Sequence, residues 1–329
     1  MTKSSVLNKF FLQVKENRQR LCSRGHYTKR HKSNANVGDR GGMRREVMFS
    51  ALRFLIGECP TFGINAASAC SNKQRRTYRK IVPPPNGAYK LTLKGKRVLI
   101  LGGTSGIGLA VAEAAKAEGS AVVVVSSKQS RVDAALTLLG EGAEGYVANL
   151  SNETAVEALF GKMGAFDHLV YTAGDPVWQR LLGEAKLEDA KSFFDVRFWG
   201  AFLVTKHGSK LICPGGSIVF TSSTLPRRPS AGFAIGASIS SAVEAFAAAM
   251  AVELAPVRVN VVAPGIVRTP IWDRLPEEQR EVFFAARGAA LPVGKVGEPA
   301  EVAEAYLCFM RSGYTTGQIV VVDGGMLLV

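Results

Sequence analysis

The stretch VLILGGTSGIGLAVAEAAKAEG, Val98 to Gly119, decides how the chain is read. Four aliphatic residues without polar alternation predict a strand covered on both faces, and the alanine-rich run from Ile107 to Glu118 predicts a helix. Between them Gly102 lets the chain turn sharply off the strand, Gly106 removes a Cβ where backbone must approach a ligand, and Gly108 lets the helix pack close to the sheet. The helix then presents unpaired N–H groups and the positive end of its dipole, which is a seat for a pyrophosphate. Thr104, Ser105 and Ile107 lie in that turn and complete the predicted dinucleotide-binding residues.

Working outward, the unit repeats. VVVV (Val122 to Val125), HLVY (His168 to Tyr171), SIVF (Ser217 to Phe220), VNVV (Val259 to Val262) and IVVV (Ile319 to Val322) read as further buried strands, with EGYV (Glu144 to Val147) as a weaker seventh. Helix-length segments separate them: Glu153 to Lys162, Ala190 to Ile212, Ala231 to Leu254 and Ala300 to Arg311. Strand and helix in alternation predict right-handed crossovers and an α/β fold: one doubly wound Rossmann domain whose mostly seven-stranded parallel sheet carries helices on both faces.

The charge is uneven. The chain has 329 residues and a formal charge of +14, but residues 1–90 hold 19 Lys/Arg against Glu16, Asp39, Glu46 and Glu58, or +15, while residues 91–329 hold 22 bases and 23 acids, or −1. The basic excess therefore belongs to an N-terminal extension that has no periodic apolar segment and closes on the linker-like KIVPPPNGAYK. Three readings stay open for it: an organelle transit peptide, mitochondrial or plastid; a start upstream of a shorter presequence at Met43 or Met48; and a solvated tail touching nucleic acid. The last is disfavoured because no recognisable nucleic-acid-binding module surrounds the bases. Without targeting, the protein would be cytoplasmic.

Cys22, Cys59, Cys70, Cys213 and Cys308 are odd in number and form no C-x-x-C pair, which predicts a reducing compartment and no disulfide framework. The four histidines lack ligand spacing, so no metal is expected. The uncharged run Pro229 to Val243 is too short to span a bilayer, and no membrane span is predicted.

The glycine spacing is G-x-x-x-G-x-G, and here the chain resembles the short-chain dehydrogenase/reductase family from about Leu91 to the C-terminus. FDHLVYTAG (Phe166 to Gly174) is similar to the family's strand ending in Asn-Asn-Ala-Gly, with Tyr171 and Thr172 in place of the two Asn; Ala173 and Gly174 would face the cofactor. RVNVVAPGIVRTP (Arg258 to Pro270) carries the family's Pro-Gly, Pro264 and Gly265, then Thr269, which the resemblance places at the nicotinamide carboxamide. TTGQIVVVDGG (Thr315 to Gly325) resembles the closing strand and turn. The second strand ends SSKQSR, with Ser127, Lys128 and Arg131 and no acid, which favours NADP over NAD, although NAD stays open.

The same resemblance puts the family's catalytic Ser at Ser223. Its Tyr and Lys positions fall on Gly236 and Ser240, and its Asn position on Arg197. No Tyr occurs between Tyr171 and Tyr306, so a shifted alignment restores nothing. This implies a divergent branch with other acid chemistry, carried by Ser223, Arg197 and Ser240, acting on a carbonyl or alcohol. For Arg197 a structural salt bridge to Asp195 or Asp175 is the competing reading. The second functional reading is a dinucleotide-binding protein without turnover, sensing redox state or supporting an assembly. The family's long helices further imply a homodimer or homotetramer. The segment after Thr269 is expected to form a substrate lid, in which Ile271, Trp272, Phe283 and Phe284 either face an apolar ligand or pack the lid onto the body.

Overall fold

The computed structural model describes residues 92–176 and 179–329. The basic extension, its linker and the readings attached to them lie outside the described residues.

Seven parallel strands form one sheet: β1 (Arg97–Leu101), β2 (Ala121–Ser126), β3 (Glu144–Val147), β4 (Phe166–Tyr171), β5 (Ile212–Thr221), β6 (Arg258–Pro264) and β7 (Ile319–Val322). Their order across the sheet is β3-β2-β1-β4-β5-β6-β7. Strand order reverses direction between β1 and β4, and such a switch point opens a crevice beyond the carboxyl ends of the strands. All seven strand expectations hold.

The side-chain period of two divides each strand between two cores. Leu99, Leu101, Val123 and Val125 face one apolar cluster. Val98, Ile100, Val122 and Val124 face the other. The first cluster is closed by α3 (Glu153–Lys162), by the segment containing α4 (Leu187–Phe194) and α5 (Ala201–Gly208), and by α6 (Ala234–Glu253). The second is closed by α1 (Gly106–Ala117), α2 (Gln129–Leu139) and α8 (Pro299–Arg311), with α1 and α8 packed on each other. Arg258 at the start of β6 is buried, and its guanidinium donates to the Phe309 and Met310 carbonyls at the end of α8, which otherwise lack helical partners.

One expectation needs correction. The segment predicted as one helix from Ala190 to Ile212 begins earlier, at Leu187, and widens into a π segment over Asp195–Gly200; a 3-10 turn closes it, and Ile212 already belongs to β5. Among the described residues α6 is long and apolar enough, by length and composition alone, to cross a membrane. In this fold its Ile239, Val243 and Ala247 are buried in the first core cluster.

The expected lid contains a 3-10 turn, Pro270–Trp272, and α7 (Glu277–Ala289). Its aromatic residues pack on one another and on the body. Trp272 and Phe283 have ring centroids 4.9 Å apart, Phe284 is buried, and the Arg268 guanidinium lies over the Phe284 ring. Ile271, Trp272 and Phe283 stay half-buried.

Candidate active site

The glycine turn is assembled backbone against backbone. Gly102 has φ +87°, a left-handed conformation, and a Cβ there would stand 2.6 Å from the Ala173 nitrogen. Gly108 would drive a Cβ into the Gly102 carbonyl and the Thr172 hydroxyl, so α1 can approach the sheet only with glycine at this point. Gly106, at φ +51°, faces the Thr269 methyl group, 3.1 Å from where its Cβ would be. The turn after β1, the end of β4 and the Pro264–Thr269 segment thus converge at the carboxyl edge. Gly265 packs against the Asp323 backbone and donates its N–H to the Val322 carbonyl at 2.9 Å, tying that segment to the closing strand.

At the start of α1, Ser105 makes no side-chain cap, and the first turn contains no acid. Thr104 and Ile107 flank it, both partly buried, with Ile107 packed on the second core cluster. An uncapped helix N-terminus of this kind is chemically suited to a phosphate group. Beyond β2, Ser127, Lys128 and Arg131 are exposed, and neither base enters an ion pair among the described residues.

On the other side of the crevice, Ser223 follows β5 and Ser240 lies on α6, with their Oγ atoms 2.7 Å apart. The Leu225 N–H also donates to Ser223 Oγ at 3.3 Å. Gly236, one turn before Ser240, faces Leu225, whose Cδ1 would be 3.1 Å from a Cβ there. Behind this pair, the Ser222 hydroxyl donates to Glu244 at 2.7 Å, and Arg227 forks onto the same carboxylate at 2.8 and 3.1 Å. Sequence reasoning missed this clamp, although a lone Glu244 in an apolar helix was its signal.

Arg197 sits in the π segment. Its guanidinium donates to the Asp175 main-chain carbonyl, lies 4.8 Å from the Phe193 ring centroid and rests on Gly174, where a Cβ would be 3.0 Å from Cζ. Arg197 enters no ion pair among the described residues, so the salt bridge to Asp175 or Asp195 is replaced by a carbonyl contact. Gly174, expected to make room for cofactor, also makes room for this side chain. Burial pushes the Arg197 pKa down, and the neighbouring Asp175 charge partly offsets that. Its Nε is buried without a hydrogen-bond partner. Beside it opens a cleft of about 350 Å³ lined by Asp175, Pro176, Asp189, Ser192, Phe193 and Arg274.

Tyr171, at the end of β4, is fully buried, and its hydroxyl donates to the Val196 carbonyl inside the π segment. Burial raises its pKa, so the phenol stays protonated and cannot serve as a titrating acid. His168, lower on the same strand, is buried with Nδ1 2.9 Å from Ser217 Oγ; burial first, and Arg258 second, lower its pKa to about 4.

A family model described as enoyl-(acyl carrier protein) reductase matches residues 102–327. The short-chain dehydrogenase/reductase ucsE of an Acremonium species is 36% identical over 255 residues, 72% of this chain and 97% of the relative. The chain belongs to the short-chain dehydrogenase/reductase family. Solved structures agree: this short-chain dehydrogenase/reductase matches a small-chain dehydrogenase in complex with NADPH at 36% identity and TM-score 0.64, covering 72% of this chain and all of the other. The MalC reductase/Diels-Alderase of Malbranchea aurantiaca is 31% identical at TM-score 0.67, covering 72% and 98%. Family and fold are those of NAD(P)-dependent oxidoreductases.

Proposed function

We propose that this protein uses NADPH to reduce a small carbonyl compound, or NADP to oxidise the corresponding alcohol, with Ser223, Ser240 and Arg197 in place of the family's usual catalytic residues. The observation that carries this reading is the 2.7 Å hydroxyl pair Ser223–Ser240 at the carboxyl edge of the sheet. Gly102, Thr104, Ser105, Gly106, Ile107 and Gly108 would hold the diphosphate, Ala173, Pro264, Gly265 and Thr269 the nicotinamide half, and Ser127, Lys128 and Arg131 the 2′-phosphate. The uncapped first turn of α1 and the two exposed unpaired bases fit that group. The cofactor, when bound, supplies the hydride.

The residues supply the rest. Ser223 donates its hydroxyl proton toward the substrate oxygen while accepting from Ser240, so a proton leaving Ser223 is replaced along one short hydrogen bond and ultimately from water. Arg197 cannot give up a proton at neutral pH, but a desolvated guanidinium stabilises negative charge developing on oxygen. The cleft beside it takes the substrate.

The contact between Gly236 and Leu225 supports the competing reading, a silent dinucleotide-binding protein, because Leu225 lies where a larger residue at 236 would reach. The test is NADPH consumption by the full chain across a panel of aldehydes, ketones and quinones, alongside NADPH affinity by calorimetry. Turnover lost in a Ser223→Ala variant supports the enzyme. Tight binding with no turnover across the panel supports the silent protein.

The same reading includes a homodimer or homotetramer, supported by Trp199, Phe202 and Val252, which are exposed on the surface around α5 and α6. Sedimentation as a monomer at micromolar concentration would overturn it. The extension at residues 1–90 we read as an import segment, and a reporter fusion that stays cytosolic would overturn that.

A further inference from the structure

We propose that Tyr171 is a positioning residue: through the π segment it sets the orientation of the Arg197 guanidinium, touching neither substrate nor cofactor. The catalytic consequence rests on the role given to Arg197 above, whereas the geometric claim stands without it.

A π turn inside an α-helix displaces the regular hydrogen-bond ladder by one residue and persists only where the surroundings hold it. Here the surroundings are identifiable. The Tyr171 hydroxyl reaches the Val196 carbonyl from the end of β4. Gly200, one turn later, admits that hydroxyl, since a Cβ at 200 would drive into the phenol oxygen. The Tyr171 ring is fixed in the core, its centroid 6.4 Å from that of Phe220.

The residue after Val196 is Arg197, and it too is held by the end of β4: its guanidinium lies on Gly174 and donates to the Asp175 carbonyl. One short segment, 171–175, therefore grips two consecutive residues of the helix, one through a phenol and one through backbone. One residue of register corresponds to about 100° of rotation around a helix. If the Val196 contact is lost and the segment relaxes to regular α geometry, Arg197 swings off Gly174, and the buried Nε reaches water.

The test uses the full chain labelled with ¹⁵N-arginine, with the Arg197 Nε–H resonance assigned by its loss in Arg197→Lys. Tyr171→Phe keeps the ring and removes only the donor. It is expected to speed exchange of the Arg197 Nε–H at least about 10-fold, while other arginine resonances hold and NADPH affinity stays within about 3-fold. Gly200→Ala, which keeps the phenol but closes the seat of its hydroxyl, is expected to do the same, and it decides the matter if Tyr171→Phe does not accumulate. Unchanged Arg197 exchange in the variants, or exchange that rises across all arginines together, overturns the proposal. Turnover indifferent to Arg197→Met would refute the catalytic role of Arg197 and leave the positioning claim to the exchange data. Where turnover depends on Arg197, the rate loss from Tyr171→Phe should vanish in an Arg197→Met background.

Discussion

The two sides of the crevice are built differently. On the cofactor side, Gly102 meets Ala173, Gly108 meets the Gly102 carbonyl, Gly106 meets Thr269 and Gly265 meets Asp323. At Gly102, Gly108 and Gly265 a Cβ would run into backbone atoms, so the absence of a side chain is what allows the approach. On the opposite side, Ser223 meets Ser240, Ser222 meets Glu244, and Arg197 meets Gly174 and Asp175. There each contact is made by a side chain that reaches a distant segment, and several residue types could have filled each place. The first side tolerates almost no change, whereas the second admits replacement by another chemistry.

That contrast can be broken or sharpened experimentally. The largest effect is expected from Gly102→Ala, which puts a Cβ into the Ala173 backbone at a left-handed φ: a loss of about 3 kcal/mol in stability, seen as a lower urea midpoint, with NADPH binding abolished in calorimetry. If the variant binds normally, the backbone account of the cofactor side fails. Arg197→Met should lower kcat by roughly 100-fold, about 2.7 kcal/mol, on any carbonyl the protein turns over, with NADPH affinity nearly unchanged. Equal losses in both would make Arg197 part of the cofactor seat instead.

The frame beneath both sides should respond to acid through His168. Its folded pKa, about 4, lies below the unfolded value of 6.5, so the unfolded state binds more protons between these limits. Its stabilising contribution is complete above pH 6.5 and is lost as pH falls toward 4. From pH 7.5 to 5 the cost is about 2 kcal/mol, and urea midpoints of a His168→Asn variant should show a correspondingly flatter dependence. Lys128→Ala should weaken NADPH about 10-fold and leave NADH unchanged, because a charge-assisted contact to the 2′-phosphate is worth ~1.5 kcal/mol or more. Equal weakening of both nucleotides would place Lys128 elsewhere.

Legibility followed the same division. The strands were read to within a residue or two at most ends because a sheet covered on both faces forces uninterrupted aliphatic runs, as in VVVV of β2. The glycine turn was equally visible, since left-handed φ values and absent Cβ atoms leave a mark at fixed spacing. Ser223 and Ser240 were found through resemblance, 17 residues apart, and the sequence did not announce that their hydroxyls touch. The partner expected for Arg197 was a carboxylate, yet in the folded chain its guanidinium rests on Gly174 and meets a carbonyl. Tyr171 stood out only as a departure from the family's Asn. Its contact with Val196 spans 25 residues and depends on a helix irregularity that no local propensity encodes.

By itself, then, the sequence determined the parallel sheet, its alternation with helices and the glycine turn, because each follows from local rules of burial, backbone conformation and spacing along consecutive residues. Tertiary structure alone decided which hydroxyls pair, what Arg197 rests on and what holds the π segment open. Those contacts join residues far apart in the chain, and their geometry is set only once the sheet brings β4, β5, α6 and the widened helix to a common edge.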